Sequence, residues 1–350
     1  MAKAAKSEYE QFNEELAELG LSEFLVKAID REDMSVSCLS TGLPRLDAVL
    51  HKTKHGLPLT KRIEIYSRDP EVGKTSLALA IGVAWQKFGK KVAIVDIEDT
   101  VTDEYMVEVG FELDPSEDSG RFPVYLAKGF DDHGEVLSAE TIADNIAKMA
   151  NIFDLVIVDS IGALAKRADL ERDPNDAFSP GGIGKVMFDH CRKTNHVKAT
   201  VIWINQALPQ IGVYSPNGIK YKTSGGNAIP FFSVIRLELR LVEKLKGNGK
   251  DDEPYGVVVD VYTAKNKVSP PYKHVKLTYL DGEGFSTLYD VFQTAISEGV
   301  IEKSGAWFNV GDERLGQGER NAYNNLKNSP ELQKAVMDKL AEKEQPTPKD

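Results

Sequence analysis

The chain has 350 residues, a length that suits about two domains or one large domain with appendages. Hydrophobic residues make up 41% and charged residues 28%, an ordinary globular composition whose core needs no disulfide or metal staple. Forty-three basic against 54 acidic residues give a formal net charge of −11, which argues against a wholly basic nucleic-acid coat but leaves room for a local basic groove.

The opening stretch lacks the apolar core of a secretory signal, and no run of about 18 uninterrupted apolar residues occurs, so no membrane partner is expected. Cys38 and Cys191 cannot make a disulfide framework, and they fit a reducing, cytoplasmic setting. Residues 8–30 read as one or two helices, with Phe12, Leu16, Leu19, Leu21, Phe24, Leu25 and Ile29 near helical spacing. Most of 31–62 reads as loop, except that Leu39–Asp47 would cap and start a short helix. Then strands and helices alternate: strand 62–66, helix 76–89, strand 91–98, helix 141–152, strand 154–161, helix 186–194 and strand 199–205. This alternation predicts an α/β core, a doubly wound, mainly parallel sheet flanked by helices, and its nearly continuous apolar strands suit cover on both faces. Segments 234–242, 255–264 and 274–280 alternate apolar and polar residues and are expected as antiparallel strands extending one edge of that sheet. From about 286 the tail reads as helical segments with a frayed, charged end.

Val72-Gly73-Lys74-Thr75-Ser76 follows an apolar strand and opens a helix, the context in which backbone N–H groups gather phosphate. Lys74 would reach the terminal phosphates, and the Thr75 hydroxyl would hold Mg²⁺. The full pattern G-x-x-x-x-G-K-[ST] is broken, because Arg68 stands at its first glycine. Asp159 ends the strand LVIVDS and suits a Mg²⁺-bound water, Glu98 follows the strand containing Asp96 as candidate general base, and Gln206 ends IWINQ as candidate γ-phosphate sensor. Strand ends on one edge of a parallel sheet are where ligands bind, so these groups together predict a nucleotide site. His51 and His55 have helical spacing, but no third ligand is evident and they read as a surface pair.

From about 35 to 300 the chain resembles the RecA family of recombinases. LSTGLPRLDAVL (39–50) and GLPLTKRIEIY (56–66) resemble the approach to that family's phosphate loop. VDIEDTVTDEY (95–105) resembles its second core strand, with Glu98 in place of the catalytic glutamate and Tyr105 in place of the adenine-stacking tyrosine. VIVDSIGALAKRADLE (156–171) is similar to its metal-binding strand, INQALPQIGVY (204–214) with TSGGNAIPFFSVIRLELR (223–240) to its sensor and second DNA loop, and TAKNKVSPPYK (263–273) to the strand whose lysines reach a neighbouring subunit's ATP. The resemblance implies ATP and Mg²⁺ as ligands, a helical homo-oligomeric filament on single-stranded DNA, and pairing with homologous double-stranded DNA. It implies that Lys265 and Lys267 act across the subunit interface, and that residues 1–33 form a helical oligomerisation arm. The ATPase core with its two DNA loops would then span 34–285, and a small C-terminal domain and tail 286–350. Beyond 300 no motif of the family is recognisable.

The resemblance makes two punctuated segments, 171–185 and 207–228, the DNA loops. Arg172, Ile211, Gly212, Val213, Tyr214, Lys220, Lys222, Thr223, Gly225, Gly226 and Asn227 are the candidate DNA contacts there, with Arg192 on the following helix. Residues 220–250 carry seven basic and two acidic side chains, a local excess of positive charge. Asp173 and Asp176 in the first loop, and Ala207 and Leu208 after the sensor, depart from the family's pattern. Two other classes stay open on these residues: a RecA-like protein that coats DNA without hydrolysis, and a hexameric, helicase-like ATPase.

Overall fold

The computed structural model describes residues 7–21, 36–171, 182–194, 198–210, 220–246 and 253–344. Arg172 and the stretch Ile211–Tyr214 lie outside the described residues, as does most of the predicted N-terminal arm beyond 21. The chain divides into two units, 1–37 and 38–350. In the first, α1 (Glu8–Glu18) starts at a capping box: Ser7 Oγ accepts the Glu10 N–H, and the Glu10 carboxylate accepts the Ser7 N–H.

In the second unit, β1 (Cys38–Leu39) pairs antiparallel with β2 (Leu57–Pro58) around α2 (Pro44–Leu50). Asp47 holds this turn together, its carboxylate accepting from Thr41 N, Thr41 Oγ1 and Ser40 Oγ. The alternating run then gives β3 (Arg62–Ser67), α3 (Lys74–Lys87), β4 (Val92–Asp96), α4 (Asp103–Val109), β5 (Tyr125–Lys128), α5 (Ala139–Met149), β6 (Leu155–Asp159), α6 (Arg167–Leu170), α7 (Ile183–Lys193), β7 (Thr200–Pro209), β8 (Tyr221–Thr223), α8 (Ala228–Phe232), β9 (Ile235–Lys246), β10 (Pro254–Asn266) and β11 (His274–Leu280).

These strands form one sheet ordered β11-β10-β9-β3-β7-β6-β4-β5, with β8 paired to β7. From β9 to β5 all neighbours are parallel, while β10 and β11 run antiparallel at one edge, as the alternating sequence predicts. Side chains of period two reach opposite faces. Leu155 and Ile157 thus join Ile63, Ile65, Leu77, Trp85 and Ile202 in one core layer, while Val156 and Val158 join Ile142, Ile146, Met187, Cys191 and Trp203 in the other. Helices α2, α3 and α4 cover the first face and α5, α7 and α8 the second, which accounts for the uninterrupted apolar strands.

The C-terminal part differs from its sequence reading. After α9 (Thr287–Ser297), a three-stranded sheet of β12 (Glu302–Ser304), β13 (Trp307–Val310) and β14 (Glu313–Gln317) precedes α10 (Glu319–Lys327) and α11 (Pro330–Glu344). Phe292, Ile301, Phe308, Leu315, Leu326 and Val336 close a separate small core there. Short strands bounded by positive-φ glycines at 305, 311 and 318 give no periodic signal, so only the helices are legible in sequence. Among the described residues no helix is long and apolar enough to cross a membrane.

Candidate nucleotide-binding site

Because β3, β7, β6 and β4 are parallel neighbours, their carboxyl ends share one edge, and each carries one of the predicted groups. Gly73 turns the chain into α3 with φ +80°, and a Cβ there would sit 3.0 Å from Phe285 Cε2, so glycine is needed at this point. Lys74 folds back over the loop, its ammonium donating to Ser67 Oγ at 3.1 Å and Pro70 O at 2.8 Å. Burial lowers its pKa, opposed by the charges of Asp159, Glu98 and Asp69. Thr75 Oγ1 donates to Asp159 Oδ2 at 2.5 Å. Asp159 is only 4% exposed, and its pKa is pushed up to about 6, first by burial and then by the nearby Glu98 and Asp96 charges. Glu98 sits exposed at the mouth and accepts a hydrogen bond from Ser160, whose peptide bond to Asp159 is cis. Asp96 has a structural task instead: its Oδ2 accepts the Val101 N–H and holds the turn that presents Glu98.

Hard oxygen donors beside a lysine suit a divalent cation with a phosphate chain. Buried Asp159 leans on Thr75 and carries an elevated pKa that a cation would relieve, so these residues fit Mg²⁺. Ser76 lies in the first turn of α3, and its hydroxyl bonds the Tyr105 hydroxyl at 2.6 Å, placing that tyrosine against the helix start.

Gln206 Nε2 donates to the Arg68 carbonyl at 3.0 Å, so the amide at the end of β7 touches the loop that precedes α3. Asn205, which the sequence reading passed over, connects it onward. Its Oδ1 accepts the Gln206 N–H, and its Nδ2 donates to Ser224 O at 3.0 Å and to Glu64 Oε1 at 2.9 Å. Glu64, fully buried, also pairs with Arg236, and Glu238 on β9 pairs with Arg240 at 2.8 Å. The missed signal was a charge inside each apolar strand, in RIEIY and VIRLELRLV; a carboxylate so placed must find buried partners.

Of the DNA-loop candidates, Lys220 and Lys222 are exposed beside and on β8, and Thr223, 4% exposed, pairs opposite Ala207. Gly225 and Gly226 take φ +78° and +75°, pass close to Ile161 and Gly184, and lead through Asn227 into α8. Arg192 is not brought to them. It lies in the last turn of α7, whose end is fastened by Arg62 at the start of β3, on the sheet edge away from the phosphate loop. Lys265 and Lys267 do not share one strand face. Strand β10 ends at Asn266, after a register shift between Thr263 and Lys265, so Lys267 lies past the strand. Lys265 is held by the Pro230 and Phe231 carbonyls, at 2.7 and 3.0 Å, and burial with the Lys267 and Arg236 charges lowers its pKa to about 8.

The fold is that of a RecA-like P-loop ATPase, a mixed and mainly parallel sheet flanked by helices. A family model described as the RecA N-terminal domain matches residues 16–286, and one described as the RecA C-terminal domain matches 289–345; the chain belongs to the RecA family. Protein RecA of Caulobacter vibrioides is 34% identical over 312 residues, covering 88% of this chain and 82% of that one. Protein RecA of Rhodopseudomonas palustris is 36% identical over 303 residues, covering 85% and 80%. Protein RecA of Xanthomonas campestris is 33% identical over 321 residues, covering 91% and 88%. A solved KaiC-like protein from Pyrococcus horikoshii is similar at 14% identity with a TM-score of 0.49, over 72% of this chain and 98% of that one. The second family match assigns the region beyond 300, where sequence motifs failed. Family membership supports a recombinase role, ATP binding and ATPase activity.

Proposed function

We propose that the chain is an ATP-dependent recombinase that assembles as a filament on single-stranded DNA and catalyses homologous pairing and strand exchange. The observation that carries this reading is the convergence of Lys74, Thr75, Asp159, Glu98 and Gln206 on one sheet edge, with the last continued by hydrogen bonds into the Ser224–Gly226 turn. In this reading Lys74 and the α3 N-terminus hold the phosphate chain of ATP. Thr75 and Asp159 hold Mg²⁺, which supplies charge neutralisation on the phosphates. Glu98 takes the proton of the attacking water. Gln206 senses the γ-phosphate and transmits its presence through Asn205 to the second DNA loop. Lys220, Lys222, Thr223 and the glycine pair contact the DNA backbone there, and Arg172 and Ile211–Tyr214, outside the described residues, are further proposed DNA contacts. Lys265 and Lys267 face a neighbouring subunit's ATP in the filament, and the N-terminal arm packs on a neighbour.

Lys74→Ala tests the phosphate role. Removing the lysine is expected to lower DNA-stimulated ATP hydrolysis by at least about 100-fold, with the circular dichroism spectrum and denaturation midpoint retained. Unchanged hydrolysis would refute the assignment.

A further inference from the structure

We propose that Arg68 is a positioning residue that ties the phosphate loop to the β7–β8 hairpin, so that nucleotide and single-stranded DNA binding are coupled through this side chain. The proposal rests on the functional reading above. It concerns a residue that stands where the phosphate-loop pattern has its first glycine.

Three elements meet on Arg68. Its carbonyl accepts the Gln206 amide from β7 at 3.0 Å. Its Nε lies 2.9 Å from Glu238 Oε1 on β9, an ion pair in which no hydrogen bond is aimed at that oxygen. Its guanidinium carbon lies 4.7 Å from the centre of the Tyr221 ring on β8. Glu238 is a fixed anchor, 3% exposed and bonded to Arg240 at 2.8 Å and to the Tyr66 hydroxyl at 3.5 Å. Tyr221 pairs with Pro209 in the hairpin and so marks the base of the second DNA loop. A surface cleft of about 380 Å³ borders this contact, lined by Arg68 together with Tyr66, Tyr221, Thr223 and Glu238. Thr223 Oγ1, buried in that wall, has no hydrogen-bond partner among the described residues.

The paired hairpin residues Ala207 and Thr223 are buried, so the Arg68–Tyr221 contact joins the loop to a packed element across this cleft. A planar guanidinium can stack on the tyrosine while facing a carboxylate; a shorter-reaching or uncharged side chain cannot do both. When a phosphate chain reshapes the loop before Gly73, residue 68 moves with it. The movement reaches Gln206 through the carbonyl and Tyr221 through the guanidinium. Truncating the side chain leaves the first connection, a backbone group, and removes the second.

The test measures the coupling factor directly: the dissociation constant of a fluorescent oligo(dT) with and without a slowly hydrolysed ATP analogue, for the unaltered chain, Arg68→Ala, Arg68→Lys and Tyr221→Leu. Arg68→Ala is expected to lower the coupling factor at least about fivefold, with nucleotide affinity in the absence of DNA changed by less than about threefold. Arg68→Lys is expected to restore part of the coupling. Tyr221→Leu should reproduce the loss, and the double variant should lose no more than either single one. An unchanged coupling factor in Arg68→Ala would overturn the proposal, as would an equal loss of nucleotide affinity with and without DNA, which would make Arg68 merely part of the phosphate cradle. If oligonucleotide affinity of the unaltered chain itself ignores the nucleotide, the functional reading fails first and takes the proposal with it.

Discussion

Asp159 shows how one side chain reports its surroundings. Burial and the neighbouring carboxylates of Glu98 and Asp96 raise its pKa to about 6, although Thr75 donates to it and Lys74 lies near. An acid that is costly to ionise, placed beside a half-buried lysine, suits the charge of a ligand. His190 shows the opposite case, a buried histidine with no such task. Its ring meets Trp203 edge-on at 5.6 Å, and burial, with the Arg62 charge, lowers its pKa to about 4. The folded chain keeps it neutral, whereas the unfolded chain takes up a proton near the usual value of about 6.5. Its contribution to stability is therefore full above that pH and is lost as pH falls towards 4. Urea titrations at pH 7 and pH 5 should show His190→Gln losing about 2 kcal/mol less stability than the unaltered chain over that interval. Equal losses would contradict the assignment.

At the scale of elements, legibility followed packing. Strands such as LVIVD and TVIWIN, buried on both faces, were plain in sequence because they are nearly continuous apolar runs; β5 was not, since Tyr125 and Lys128 are exposed at the sheet edge and its four residues carry no pattern. The convergence of Thr75, Asp159, Glu98 and Gln206 on one edge was legible because a parallel sheet brings strand ends together. Asn205, Glu64, Glu238 and the Arg68 side-chain contacts were not, because partners separated by more than a hundred residues leave no local spacing to read. The turn after β8 makes its own prediction. Gly225 holds φ +78°, and a Cβ there would lie 2.9 Å from Ile161 Cγ2. Gly225→Ala is expected to cost about 1–3 kcal/mol, read as a lower denaturation midpoint, and to weaken oligonucleotide binding more than nucleotide binding. An unchanged midpoint would show that the turn tolerates a side chain.

For the whole molecule, the net charge of −11 proves uneven. Residues 1–30 hold three lysines against seven acidic side chains, while the segment from 220 onward is basic where the proposed DNA surface begins. An acidic total is therefore compatible with a DNA-binding face, since local potential governs the encounter. The proposed recombinase function predicts helical filaments, not closed rings, in electron micrographs of the chain with ATP and single-stranded DNA; rings would favour the helicase-like class. The account's central claim is homologous pairing driven by ATP, and a joint-molecule assay tests it most directly. A labelled single strand is incubated with supercoiled homologous duplex, with and without ATP. The account predicts joint molecules that require ATP, Mg²⁺ and homology and that vanish in Lys74→Ala. Joint molecules formed equally without ATP, or none formed by a chain that binds both ATP and DNA, would contradict it.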